Sequence, residues 1–264
     1  MTTVSLSDAG ADEGTLRPAH APREGRWSVM GAIAFTTVVF AASIVAALAF
    51  VQTVTTLYHG GNFFDWFAAS RLSAGDQQRL AVGAQLLAEV AQLGMILWLA
   101  GRYHENRLAA LGLHATDIRI RGWIGAILLL FVAKALATAI VIGNGGVDPK
   151  EDLSEIIGLA RQPQLWIALL GTVMLAGATE ELAFRGVLSR TLESTRLGFW
   201  GGAALASAAF AGIHLQYGPG GQCVVFILGM TLAWIRRWSG SIWPCIVGHA
   251  LNNAVAIAAM RLMA

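Results

Sequence analysis

The chain has 264 residues, of which 56% are hydrophobic and only 13% charged, about half the charge expected of a soluble globular domain. Its 18 Lys and Arg against 16 Asp and Glu leave a formal net charge of +2, so no concentrated basic surface for nucleic acid is expected. Cys223 and Cys245 lie in apolar runs without a C-x-x-C spacing, which argues against a disulfide framework and a thiolate metal site.

Residues 1–27 mix Ala, Gly, Pro and Thr with charges of both signs and show no helical or strand periodicity. They read as a loose N-terminal arm, and residues 28–264 as a membrane domain. Crossing a hydrocarbon core of about 30 Å takes roughly 20 apolar helical residues. Seven stretches qualify or nearly do: Ser28–Val51, Leu80–Ala100, Trp123–Gly143, Leu165–Val187, Trp200–Leu215, Cys223–Ile235 and Ile242–Met260. The fifth and sixth are the shortest. The expected fold is an all-α integral membrane protein, a bundle of about seven transmembrane helices with a polar site inside the membrane.

Loop charge gives an orientation, because short cytoplasmic loops are enriched in Lys and Arg. The arm carries Arg17, Arg23 and Arg26, the second loop Arg102, Arg107, Arg119 and Arg121, the fourth Arg190 and Arg196, and the sixth Arg236 and Arg237. In the first loop Arg71 and Arg79 are offset by Asp65 and Asp76, and the third is acidic through Asp148, Glu151, Asp152 and Glu155. This alternation predicts a multi-pass protein of the cell membrane with a cytoplasmic N-terminus. Trp27, Trp123, Trp166, Trp200, Trp238 and Trp243 stand near predicted span ends, as interfacial anchors do.

Ionisable groups inside lipid are costly, so each one within a span is a functional candidate. They are Glu89, Lys134, Glu180, Glu181, Arg185, His214 and His249, accompanied by Asn252 and Asn253. Glu89 shares a polar stripe with Gln85 and Gln92, which suits helix–helix hydrogen bonding, and Lys134 is expected to pair with Glu89 across the bundle. In the fourth span Glu181 and Arg185 have the i,i+4 spacing with the acid first, which favours an ion pair on one helical face. Glu180 points elsewhere and is left free to act as a general base on water. His249 and Asn253 share a face of the last span and are able to coordinate or to donate to a developing oxyanion.

The chain reads EELAFR at Glu180–Arg185, FAGIH at Phe210–His214 and HALNN at His249–Asn253. Taken in order on successive late spans, these resemble the EExxxR, FxxxH and HxxxN/D motifs of the CAAX protease and bacteriocin-processing (Abi) family of intramembrane endopeptidases, relatives of the type II CAAX prenyl proteases. The resemblance covers a core of about 165–258; the first three spans share only hydrophobicity. It implies that Glu180 activates water with His214 as its partner, that His249 and Asn253 stabilise the tetrahedral intermediate, and that Glu181 and Arg185 support the site. Asn252 falls outside the motif. No HExxH pair is present, so a metal-free glutamate mechanism is the expectation, with Zn2+ held by Glu180, His214 and His249 as the alternative. The implied substrate is a membrane-associated protein or peptide precursor entering from the lipid bilayer, with no nucleic acid partner. A non-catalytic membrane scaffold or immunity protein with the same fold is the rival reading, and a small transporter ranks last because no inverted repeat is visible.

Overall fold

In the computed structural model, residues 27–59, 69–146 and 166–262 are described. Most of the expected arm and the acidic third loop, with Asp148, Glu151, Asp152 and Glu155, lie outside them, as does Asp65. Among the described residues the chain is helical, without strands. The helices are α1 (Val29–His59), α2 (Ala74–Tyr103), a single turn α3 (Arg107–Ala110), α4 (Ile120–Gly143), α5 (Trp166–Glu193), α6 (Gly198–Gly212), α7 (Pro219–Ser239) and α8 (Trp243–Leu262).

Their ends follow from local chemistry. Ser73 caps α2 by accepting from the Asp76 N–H, and Asn106 caps α3 by accepting from the Ala109 N–H, each satisfying an orphan backbone donor. Pro219 opens α7 where a missing N–H costs nothing, and Gly240, at φ 68°, ends it in the left-handed region. α5 changes character along its length: Leu182–Ser189 form a π-helical stretch in which every residue is buried.

All seven expected spans are helices, and α1, α2, α4, α5, α7 and α8 are long and apolar enough to cross a membrane. The protein is a multi-pass membrane helical bundle. α6 is the exception at 15 residues, which rise only about 22 Å. The packing nevertheless gives α6 the direction of a full pass. The Phe50 ring lies on Gly83 and Trp27 stands against Tyr103, so α1 and α2 are antiparallel. α4 runs antiparallel to α7, with Trp238 on Gly122 at one end and Gly220 against the Gly146 carbonyl at the other. α5 and α6 are antiparallel, with Gly202 on the Glu193 backbone and Phe210 facing Phe184 at 5.1 Å between centroids. α4 and α8, in contrast, are parallel: Leu130 meets Gly248, and Lys134 meets Asn252. Parallel α4 and α8 require an odd number of passes between them, and α5, α6 and α7 supply three.

One end of the bundle collects the basic loops. There Arg190 donates to the Ala109 carbonyl at 2.7 Å, Trp27 to the Ala110 carbonyl at 3.4 Å, Thr116 to the Ser239 carbonyl at 3.0 Å and Ser241 to the His114 carbonyl at 2.6 Å. Arg236 pairs with Glu193 at the same end. The stripe Ile124, Leu128, Val132, Leu136 and Ile140 on α4 is exposed, an i,i+4 face suited to lipid. The opposite stripe, Ala126 and Leu130, is buried and continues to Lys134.

Candidate active site

Two helices carry most of the site, and small residues bring them together. A Cβ on Gly177 of α5 would stand 3.0 Å from the Ala250 nitrogen and 3.2 Å from its Cα, closer than side chains approach backbone, so the helices touch along their main chains at this level. The contact sets Glu180 and Glu181 beside His249, and Val173 beside Asn253 on the antiparallel α8.

Glu181 is fully buried, and its Oε1 accepts from Arg185 Nη1 at 2.9 Å, as the i,i+4 spacing predicts. The same oxygen lies 2.9 Å from His249 Nδ1. A carboxylate between two nitrogens accepts from both, so Nδ1 carries the proton and the lone pair of a neutral His249 sits on Nε2. That Nε2 is 3.7 Å from Glu180 Oε2, too far for a direct hydrogen bond. Glu180 keeps 15% of its side chain accessible, unlike its buried neighbour.

Arg185 is enclosed on its other sides by aromatic and small groups. Its guanidinium carbon lies 4.3 Å from the Phe210 ring centroid, within cation–π range. Gly229 of α7 admits it, because a Cβ there would meet Arg185 Nη2 and Ser207 Cβ, both at 2.9 Å. Phe210 in turn touches both imidazoles, with centroids 4.7 Å from His214 and 5.9 Å from His249.

His214 falls in the turn after α6 rather than within a long fifth span. Its Nδ1 lies 2.8 Å from the Phe210 carbonyl, which only accepts, so Nδ1 is the donor and Nε2 is left as an acceptor. Its ring stacks on Tyr217 at 6.0 Å with 6° between planes. The imidazole that faces Glu180 within ion-pair distance is that of His249; His214 belongs to the same cluster through Phe210.

Asn253 donates through Nδ2 to the Val173 carbonyl at 3.0 Å, and its Oδ1 accepts from Asn252 Nδ2 at 3.1 Å. Asn252, which the motif leaves without a role, accepts from Lys134 Nζ at 2.9 Å. The expected Glu89–Lys134 pair does not form. Glu89 accepts instead from Thr179 Oγ1 at 2.7 Å and Gln85 at 2.8 Å, because α2 packs against α5 while α4 turns its inner face to α7 and α8. Thr179, directly before Glu180, escaped notice in the sequence because a hydroxyl in an apolar helix costs little; its only signal is that adjacency.

Among the described residues no group of three His, Cys, Asp or Glu side chains stands where it would hold a metal ion. Of Glu180, His214 and His249, the last has Nδ1 on Glu181 and turns Nε2 toward Glu180.

No curated protein and no solved structure matches the chain. Residues 162–255, the stretch that carries all three motifs, match the family described as Rce1-like, type II CAAX prenyl endopeptidase, and it is with this family that the site-bearing segment is identified.

Proposed function

We propose that the protein is an intramembrane endopeptidase that hydrolyses a peptide bond of a membrane-associated protein or peptide precursor by a metal-free glutamate mechanism. The observation that carries the reading is the 3.7 Å approach of Glu180 Oε2 to His249 Nε2, with Glu181 behind the imidazole at 2.9 Å. A carboxylate, a correctly protonated imidazole and a fixed second carboxylate are the parts that water-based acyl transfer needs.

In this mechanism Glu180 takes a proton from water, while the free Nε2 of His214 accepts from the same water and orients it. The resulting hydroxide attacks the scissile carbonyl carbon. The proton moves from Glu180 to His249 Nε2, giving an imidazolium steadied by Glu181 that donates to the oxyanion together with the second amide proton of Asn253. Collapse of the intermediate expels the amine, which takes up that proton. Glu181 and Arg185 hold His249 in place. The basic end of the bundle is assigned to the cytoplasm, which puts the N-terminus on that side of the cell membrane.

The test is cleavage of a fluorogenic peptide library by the full-length protein in liposomes. Glu180→Ala and His214→Ala are each expected to abolish cleavage while the thermal midpoint stays close to that of the wild type, and chelators are expected to leave the wild-type rate unchanged. Undiminished cleavage by Glu180→Ala removes the base. A folded wild-type protein that cleaves nothing favours a scaffold or immunity protein, and activity lost to a chelator and restored by zinc overturns the metal-free mechanism.

A further inference from the structure

We infer that Lys134, on a helix outside the matched segment, is a positioning residue for Asn253, acting through the side chain of Asn252. The inference rests on the role given above to Asn253. Lys134 extends the inner face of α4 after Ala126 and Leu130, and its ammonium reaches Asn252 Oδ1 at 2.9 Å. None of the ion pairs among the described residues includes it. A cation within a membrane span is costly, and Lys134 is directed at the residue next to Asn253.

The direction of the hydrogen bonds gives Lys134 its effect. An ammonium has three donors and no acceptor, so it dictates that the oxygen of Asn252 faces it and the NH2 faces away. Asn252 Nδ2 then donates to Asn253 Oδ1 at 3.1 Å, which fixes the second amide in turn. Asn253 Nδ2 is left with one proton on the Val173 carbonyl at 3.0 Å and the other available to the site. Without the lysine, the Asn252 amide is free to rotate by half a turn and set its oxygen against Asn253 Oδ1, and that repulsion displaces an Asn253 amide whose one remaining hydrogen-bond partner is the Val173 carbonyl. Asn252 therefore carries the orientation from α4 to α8, although it lies outside the HxxxN spacing.

The experiment is steady-state cleavage by the full-length protein in liposomes, using the best peptide from the library, for Lys134→Met, Lys134→Arg, Asn252→Leu, Asn253→Ala and the Lys134→Met/Asn253→Ala double variant. Misorienting a reacting group costs on the order of tenfold to a hundredfold in rate. Lys134→Met is expected to lower kcat by about tenfold with KM within about twofold. Lys134→Arg, which also only donates, is expected to keep most of the rate. The double variant is expected to be no slower than Asn253→Ala, because the two changes act on one group. Should Lys134→Met fail to fold, Asn252→Leu cuts the same chain and is expected to show the same loss. Full kcat in folded Lys134→Met or Asn252→Leu, alongside a loss in Asn253→Ala, overturns the positioning role. So do losses that multiply in the double variant. Wild-type cleavage by Asn253→Ala overturns the reading of Asn253 itself and the positioning role with it.

Discussion

Replacing Glu181 by Gln separates what this residue does for stability from what it does for His249. The wild-type carboxylate is fully buried and holds the equally buried Arg185 and His249 Nδ1, each at 2.9 Å, on one oxygen. Gln keeps that acceptor oxygen but removes the charge opposite the guanidinium, and puts an NH2 where Glu181 Oε2 has no hydrogen-bond partner. Removing one member of a buried ion pair costs about 3–5 kcal/mol, because an uncompensated charge remains in the interior. The Phe210 face, 4.3 Å from the guanidinium carbon, is present in both proteins and leaves this difference unchanged. A loss of about 3–5 kcal/mol corresponds to a fall in thermal midpoint on the order of 10 °C for a chain of this size.

The second substitution makes the reasoning refutable. Glu181→Gln/Arg185→Met removes both charges, so the desolvation penalty disappears and only packing and the cation–π contact are lost. The double variant should therefore unfold at a higher temperature than Glu181→Gln alone. Activity should not follow, since a neutral amide stabilises a His249 imidazolium far less than a carboxylate does; both variants are expected to cleave on the order of a hundredfold more slowly than wild type. Thermal unfolding in one detergent and cleavage in liposomes measure the two effects. A double variant no more stable than the single one would show that Arg185 is not an uncompensated charge in Glu181→Gln. Wild-type cleavage by either would show that His249 does not depend on Glu181.

Gly177→Ala places a methyl 3.0 Å from the Ala250 nitrogen, where only backbone can give way, so α8 shifts by a few tenths of an ångström and kcat is expected to fall by about tenfold. Gly94→Ala, with open space around the added carbon, is the control and gains up to about 1 kcal/mol from helix propensity; equal behaviour of the two removes the close-approach argument. At the basic end, burial first and Arg190 second hold the His114 imidazole below its ordinary value, and His114 Nε2 is buried without a partner. The unfolded chain therefore binds this proton more readily: the contribution is present above about pH 6.5 and is lost as pH falls toward the depressed folded value. His114→Gln should flatten the decline of the thermal midpoint between about pH 7 and 5, and an unchanged slope would show that His114 does not contribute to it.

What the sequence displayed of this site was its cost. Glu180, Glu181, Arg185 and His249 stand out because charge in an apolar helix needs a reason, and the i,i+4 relation of Glu181 to Arg185 is a property of one helix that spacing alone reveals. Relations between helices were less visible. Lys134 was expected to pair with Glu89 because opposite charges attract, but which inner face meets which is decided by tight approaches such as Gly177 on Ala250 and Gly122 on Trp238. Those approaches direct Lys134 to Asn252 and leave Glu89 to Thr179. The π-helical stretch Leu182–Ser189 has no counterpart in hydrophobic periodicity, because every residue in it is buried and no polar face marks its period.

The short α6 links the topology to the chemistry. Fifteen residues rise about 22 Å, less than the roughly 30 Å of a hydrocarbon core, yet α6 must run as a full pass for α4 and α8 to be parallel. A longer helix would carry its i→i−4 ladder through position 214 and present His214 as one more side chain on a regular face. Ending at Gly212 instead, the chain turns at His214, whose Nδ1 then reaches back to the Phe210 carbonyl that the broken ladder leaves open at the end of the helix. Irregular backbone at this depth is tolerated only where it is buried in protein or lines a polar cavity, so the same break that shortens α6 also requires a polar environment around it. Tyr217 stacks on His214 at that turn and Phe210 touches both His214 and His249, so the polar cluster that reads in sequence as an expense adjoins the point where the helix stops.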